Sequence, residues 1–268
     1  MRRTVSRLSR LGLGVRAGAG RALLAVLLPC AALTPSAGCG GDGASGNPDA
    51  NGDGAAGEPD AHNGDCEAGG RAGNDRYLPY DVGNVWRYRV TKVATGEVTT
   101  KRQELTETMT PEGETEPVIV QLTTKPNGTA ETWNRKGGDV VYRIKQIDRD
   151  GTGAIERQNA YTPDRLRLDE SAARITDGAT WTEEFDSIEY DAVGVETGRV
   201  AVTETWTIAG VDEACESPLG TFRCLHVQRT ASDADGGSVM KDYWFARGLG
   251  KVREEGDARE ELIGCLLE

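Results

Sequence analysis

The chain is poor in histidine, in phenylalanine and in long apolar runs. Its 268 residues include two histidines, His62 and His226, and three phenylalanines. Two histidines leave little material for a histidine-based metal centre or a Ser-His-Asp relay. No Cys-x-x-Cys pair occurs, which argues against a zinc ribbon or a thioredoxin-like site. No Gly-x-Ser-x-Gly elbow frames a nucleophilic serine. Basic residues are outnumbered, 31 against 43 acids, for a formal charge of −12. A surface of that sign repels nucleic acid phosphates. The longest apolar run, Ala22–Leu33, has 12 residues. A bilayer span needs roughly 20.

That run matches the apolar core of a secretory signal peptide behind an arginine-rich start. Residues 1–38 carry Arg2, Arg3, Arg7, Arg10, Arg16 and Arg21 and no acid. Small residues follow, Ser36-Ala37-Gly38-Cys39. They resemble a lipobox, where a signal peptidase cuts before a lipidated cysteine; Ser36 stands where the pattern usually has Leu. Cys39 is the expected lipid attachment site, with residues 1–38 as signal peptide. Leu27-Leu28-Pro29-Cys30 is a rival, disfavoured by Pro29 beside the cut. Cleavage would leave 25 basic residues against 43 acids, a charge of −18. Residues 39–76 are rich in Gly, Asp and Asn and read as a flexible tether. By resemblance to the lipoprotein sorting rule of enteric bacteria, in which Asp after the cysteine favours inner-membrane retention, Gly40 favours the outer membrane where the cell has one. The expected location is the cell envelope, lipid-anchored, or otherwise secretion.

Besides Cys30 and Cys39 the chain has Cys66, Cys215, Cys224 and Cys265. Four cysteines in an exported chain read as two disulfides with three connectivities. Cys215–Cys224 with Cys66–Cys265 is the favoured pairing. It closes a short loop and staples the end of the tether to the last strand.

From Tyr77 onward the pattern alternates with period two. In Asn84–Val90, Trp86, Tyr88 and Val90 face one way, Arg87 and Arg89 the other. Val118, Val120 and Leu122 share a side. Val202, Trp206 and Ile208 oppose Thr203, Thr205 and Thr207, and Glu204 breaks the apolar face. Turn signals stand at Ala94–Glu97, Lys125–Gly128, Asp148–Gly153 and Asp233–Gly237. Residues 77–268 therefore read as one mainly β domain of about nine to twelve antiparallel strands, with little helix. The expected form is a single curved antiparallel sheet, a half-barrel or open barrel. Five tryptophans against three phenylalanines suit core filling or the lining of a cavity. Trp86, Tyr88 and Trp206 are the candidate ligand-face aromatics.

Three stretches, Tyr77–Tyr88, Leu219–Cys224 and Asp242–Arg253, together resemble a family of uncharacterised bacterial lipoproteins common in myxobacteria and their relatives. The closing motif runs an aromatic strand into Gly248-Leu249-Gly250 and another strand, a tight turn and not a phosphate loop. The resemblance implies no transferable activity. At fold level the pattern is similar to the curved half-barrel of outer-membrane lipoprotein carriers, which shelter acyl chains.

Other chemistry is thin. Asp49–Gly54 and Asp148–Gly153 echo the start of an EF-hand loop, but Asp-Gly is also a hairpin signal. Cys224 and His226 share a strand face, yet Cys224 is expected to be oxidised. Glu183-Glu184 and Glu254-Glu255 are neighbours that point to opposite faces. The expectation is a non-enzymatic, lipid-anchored envelope protein without cofactor or metal. Its β domain would present a surface or cavity to an unknown protein or apolar ligand, and bind no nucleic acid. The alternatives are an envelope hydrolase or a calcium-stabilised structural domain.

Overall fold

The computed structural model describes Cys66, residues 75–234 and residues 236–268. The cleavage site, the lipid site Cys39, the loop Asp49–Gly54 and most of the tether lie outside these residues. The described part is built from twelve strands. They are β1 (Val85–Lys92), β2 (Val98–Met109), β3 (Val118–Lys125), β4 (Gly128–Gly137), β5 (Val140–Asp150) and β6 (Ile155–Asp169). The second half has β7 (Thr180–Tyr190), β8 (Glu196–Ser217), β9 (Gly220–Asp233), β10 (Ser238–Ala246), β11 (Gly250–Glu255) and β12 (Ala258–Leu266).

Every strand pairs antiparallel with its neighbours in sequence, and β12 returns to β1. The sheet is a closed up-and-down barrel. This corrects the expectation of a half-barrel or open barrel. The closing ladder runs from Val85 opposite Leu266 to Lys92 opposite Ala258, with one shift between Arg87 and Tyr88. Closure removes both edge strands, whose unpaired donors and acceptors would otherwise invite association. Period-two alternation is the same for a closed and an open sheet, so only the long-range pairing distinguishes them.

The turn signals fall where hairpins form. Ala94–Glu97, Lys125–Gly128, Asp148–Gly153 and Asp233–Gly237 link β1–β2, β3–β4, β5–β6 and β9–β10. At Gly128 the backbone has φ +143°, and a Cβ would stand 2.0 Å from the carbonyl oxygen of Arg149, so only glycine fits. The hairpins of odd into even strands gather at one end of the barrel. The other end receives the segment before β1.

That segment is the floor. Tyr77, Leu78 and Tyr80 are buried across the barrel end. The Glu170 carboxylate accepts from the backbone N–H of Tyr77 (2.7 Å) and Leu78 (3.0 Å) and from Arg76 Nε (3.2 Å). Gly248 N–H donates to the Arg76 carbonyl (2.7 Å), and Trp86 Nε1 to the Leu249 carbonyl (2.6 Å). Gly250, at φ +90°, lies against that indole, where a Cβ would come within 3.2 Å of Nε1. The Tyr77–Tyr88 and Asp242–Arg253 stretches thus meet at one place. Disulfides join Cys66 to Cys265 and Cys215 to Cys224, the two favoured pairs. The first ties the chain ahead of the floor to the last strand.

The outer wall is charged. Arg89 pairs with Glu261 (2.8 Å) and Arg259 with Glu255 (3.1 Å). A barrel wall set in lipid needs an apolar band instead. Glu170→Ala would strand two backbone donors of the floor and remove one of the partners of Arg76, which keeps Gly138 and Asp139. The expected cost is about 3 kcal/mol, read as a fall in the chemical denaturation midpoint, with Glu170→Asp in between.

Candidate functional site

A barrel of eight strands is just wide enough to be filled by side chains, and wider ones enclose space. Here the lumen holds a cavity of about 650 Å³. It runs from the floor residues Leu78, Tyr80 and Trp86 to a mouth at Lys92, Glu97, Lys125 and Asn127. Trp86, Tyr88 and Trp206 all line it. The lining is mixed, with nine basic and three acidic side chains among the aromatics. Its charge is opposite in sign to that of the whole chain.

One wall comes from β1, β2, β10, β11 and β12. Lys251 contacts Glu254 and Glu260 (2.6 Å to the latter), Lys241 contacts Glu254 (2.6 Å), and Lys101 pairs with Glu260. Burial opposes ionisation of both glutamates, but Lys251, with Lys241 or Lys101, outweighs it and holds both carboxyls below their usual range. Burial would also lower Lys251, yet the two glutamates beside it win and raise it. Lys101 is the surplus cation. Burial and the neighbouring Lys251 bring it down to about 8 despite Glu260. Tyr88 lies between Lys101 and Lys251, each 5.0 Å from its ring centre.

The facing wall, from β5, β6, β8 and β9, carries Arg143, Arg165, Arg167 and Arg229. The one acid among them is Glu204, which is 0 % exposed. Arg165 holds Glu204 with Nη2 at 2.7 Å and Nε at 3.0 Å, and Arg229 Nη1 stands 3.6 Å away. Arg229 also lies over Trp206 and Tyr243, 5.6 and 5.4 Å from the ring centres. Arg143 donates to Gln146 (2.8 Å) and keeps a buried Nε without a partner. Burial, then the charge of Arg167, lowers Arg143 to about 10. Arg167 makes no hydrogen bond or ion pair among the described residues, and its Nε is buried. Tyr80 reaches up from the floor and donates to Gln121.

The other candidates sit elsewhere. Cys224 is in a disulfide, so it offers no thiol. His226 lies on the outer wall, with Nδ1 3.1 Å from Glu213, Nε2 2.9 Å from Asp242, and its ring stacked 4.3 Å from Trp244. The Asp148–Gly153 loop is a hairpin turn whose Asp150 carboxylate accepts from Thr152 and Ala154. Asp148 is paired with Arg157 (2.9 Å). Glu183 stands opposite Glu204 across β7–β8. Burial raises its carboxyl, Arg174 opposing and Asp169 and Glu204 adding.

The lumen cations carry no mark of their place in the sequence, because arginine and lysine normally lie on the wet face of a strand. Glu204, an acid in phase with Trp206 and Ile208, was the visible sign of a charged interior. Exposed valines stand on two hairpins at the mouth end of the barrel, Val93 and Val98 next to Lys92 and Glu97 of the mouth, and Val193 and Val195 between β7 and β8.

Known proteins give little more. No protein-family model matches the chain, and no curated protein does. Two solved structures match the chain at low similarity. One is described as a "putative exported protein with YmcC-like fold" from Bacteroides fragilis. It is 12% identical, covers 72% of this chain and 99% of its own, and has a TM-score of 0.48. The other is a "putative lipoprotein" from Parabacteroides distasonis, also 12% identical over 72% and 99%, with a TM-score of 0.41.

The lysine wall sets a pH dependence. Lys101 titrates at about 8 in the folded chain against an ordinary 10.5. Between those values the unfolded chain holds the proton that the folded chain has lost, so stability rises with pH. The expected gain from pH 8 to 9.5 is about 1 to 2 kcal/mol in denaturant titrations. In Lys101→Met that rise is absent.

Proposed function

We propose that this chain is an exported, non-enzymatic envelope protein, anchored by lipid on Cys39, whose barrel holds an amphiphilic ligand in its lumen. The observation that carries this reading is the lumen itself. A mouth, a lined cavity of about 650 Å³ and a floor stand where a packed core would be. That volume is in the range of small-molecule sites. A purely apolar ligand would leave the facing guanidiniums desolvated without partners, at a cost. A ligand with one apolar and one charged part satisfies both linings. Exposed Val93 and Val98, next to the mouth residues Lys92 and Glu97, suit the passage of such a molecule. The signal-peptide and lipobox pattern of residues 1–39 supports export and lipid anchoring, and Gly40 after Cys39 favours the outer membrane. The acidic balance of the chain supports the absence of nucleic acid as a partner.

Hydrolysis is the second reading, favoured by Glu183, a raised carboxyl opposite Glu204. A glycosidase-type pair needs both carboxyls to reach substrate. Glu204 is fully buried and held by Arg165, which favours holding over turnover.

The test is extraction of the full chain isolated from the envelope of a bacterial host. Mass spectrometry should find one molecule bound per chain. Thr123→Trp, which puts an indole into the lumen, should lose it while keeping the β-sheet circular dichroism of the unaltered chain. Equal recovery from both proteins, or none from either, contradicts the reading.

A further inference from the structure

The arginine wall is out of balance in a way the lysine wall is not. Three lysines face two glutamates on β2, β10, β11 and β12. On β5, β6, β8 and β9, four guanidiniums face the single carboxylate of Glu204. Arg165 and Arg229 turn toward that carboxylate. Arg143 and Arg167 do not, and both keep a buried Nε without a protein partner. Buried polar atoms are nearly always hydrogen-bonded, so unmet ones call for an explanation. Unpaired buried charges are costly unless something pairs with them.

We propose that Arg143 and Arg167, with Arg229 beside them, seat the phosphomonoester group of an amphiphile, whose apolar part lies against Trp86, Phe245 and Trp206. The proposal rests on the lumen being a ligand site and names the ligand's chemistry. Phosphate fits better than carboxylate on two counts. One carboxylate would leave two of the three surplus charges uncompensated, whereas a phosphomonoester carries about −1.5 to −2. Its oxygens are tetrahedral, so guanidiniums on β5, β6 and β9 can each meet one, and arginine forks match phosphate geometry. The aromatic faces lie within the same cavity, Trp86 at the floor and Trp206 beneath Arg229. No step of chemistry is implied; the site binds.

The experiment uses the full chain in a neutral maltoside detergent. Dihexanoyl phosphatidate, dihexanoyl phosphatidylcholine and inorganic phosphate are titrated calorimetrically. Phosphatidate should bind at least tenfold tighter than phosphatidylcholine. Arg143→Gln with Arg167→Gln should bring phosphatidate to within twofold of phosphatidylcholine and leave the latter unchanged. The lysine pair at the same positions should keep most of the preference. Inorganic phosphate bound as tightly as phosphatidate, and lost in the glutamine variant, would support the seat and make free phosphate its source. Equal affinity for the two lipids in the unaltered protein would overturn the phosphate seat and leave the lumen reading standing. Binding of none of the three would overturn both. The comparison of lipids in the unaltered protein decides even if the double variant does not fold.

Discussion

The pairing of β1 with β12 is the constraint from which the rest follows. It joins Val85–Lys92 to Ala258–Leu266 and turns a meander into a ring. A ring of twelve strands is too wide for side chains from its own wall to meet in the middle. The chain fills the lower part with its own approach segment, Tyr77 to Tyr80, and leaves the upper part as a cavity. The floor is fixed by Glu170 and by the turn at Gly248–Gly250. The disulfide between Cys66 and Cys265 binds the chain ahead of the floor to the closing strand.

An enclosed, lined space changes what a charged residue costs. On an outer wall a lysine is solvated, and its ion pairs add little. In the lumen burial penalises it, and the response differs between the two walls. Lys251 keeps its charge because two glutamates flank it, and Lys101 gives part of its charge up. On the arginine wall the groups cannot easily shed protons, since guanidinium stays charged over the accessible range. Glu204 answers part of that charge and the rest faces the cavity. A protein that is acidic as a whole thus keeps a basic interior. That contrast is the basis for reading the lumen as a seat for an anionic, partly apolar molecule.

Much of the fold was legible in the residues. Alternation in Asn84–Val90 placed Trp86 and Tyr88 inside, and four Gly-containing turns marked four hairpins. Barrel closure was not legible, because it depends on strands separated by nearly the whole domain, and no local pattern encodes that pairing. The site was half legible. Its aromatics follow from phase, as at Trp206. Its arginines do not, because Arg165-Leu166-Arg167-Leu168 reads as an ordinary amphipathic strand with leucine inside. Leu166 and Leu168 are buried indeed, yet the arginines are the residues that line the cavity. Beside Pro163 the strand parts from its neighbour: β6 pairs with β7 only over Gln158–Thr162. In its later half Leu166 and Leu168 are buried on one face while Arg165 and Arg167 are half-buried on the other.

The lumen is open and of positive potential inside a protein of charge −12. Gln103 lines that lumen on β2 and is half-buried. In a Gln103→Cys variant, the rates of modification by a negatively charged and a positively charged thiosulfonate of equal size report the local sign of the field. The anionic reagent should be at least tenfold faster at low salt, with the difference shrinking as salt is added. Equal rates, a faster cationic reagent, or no reaction with either would contradict it.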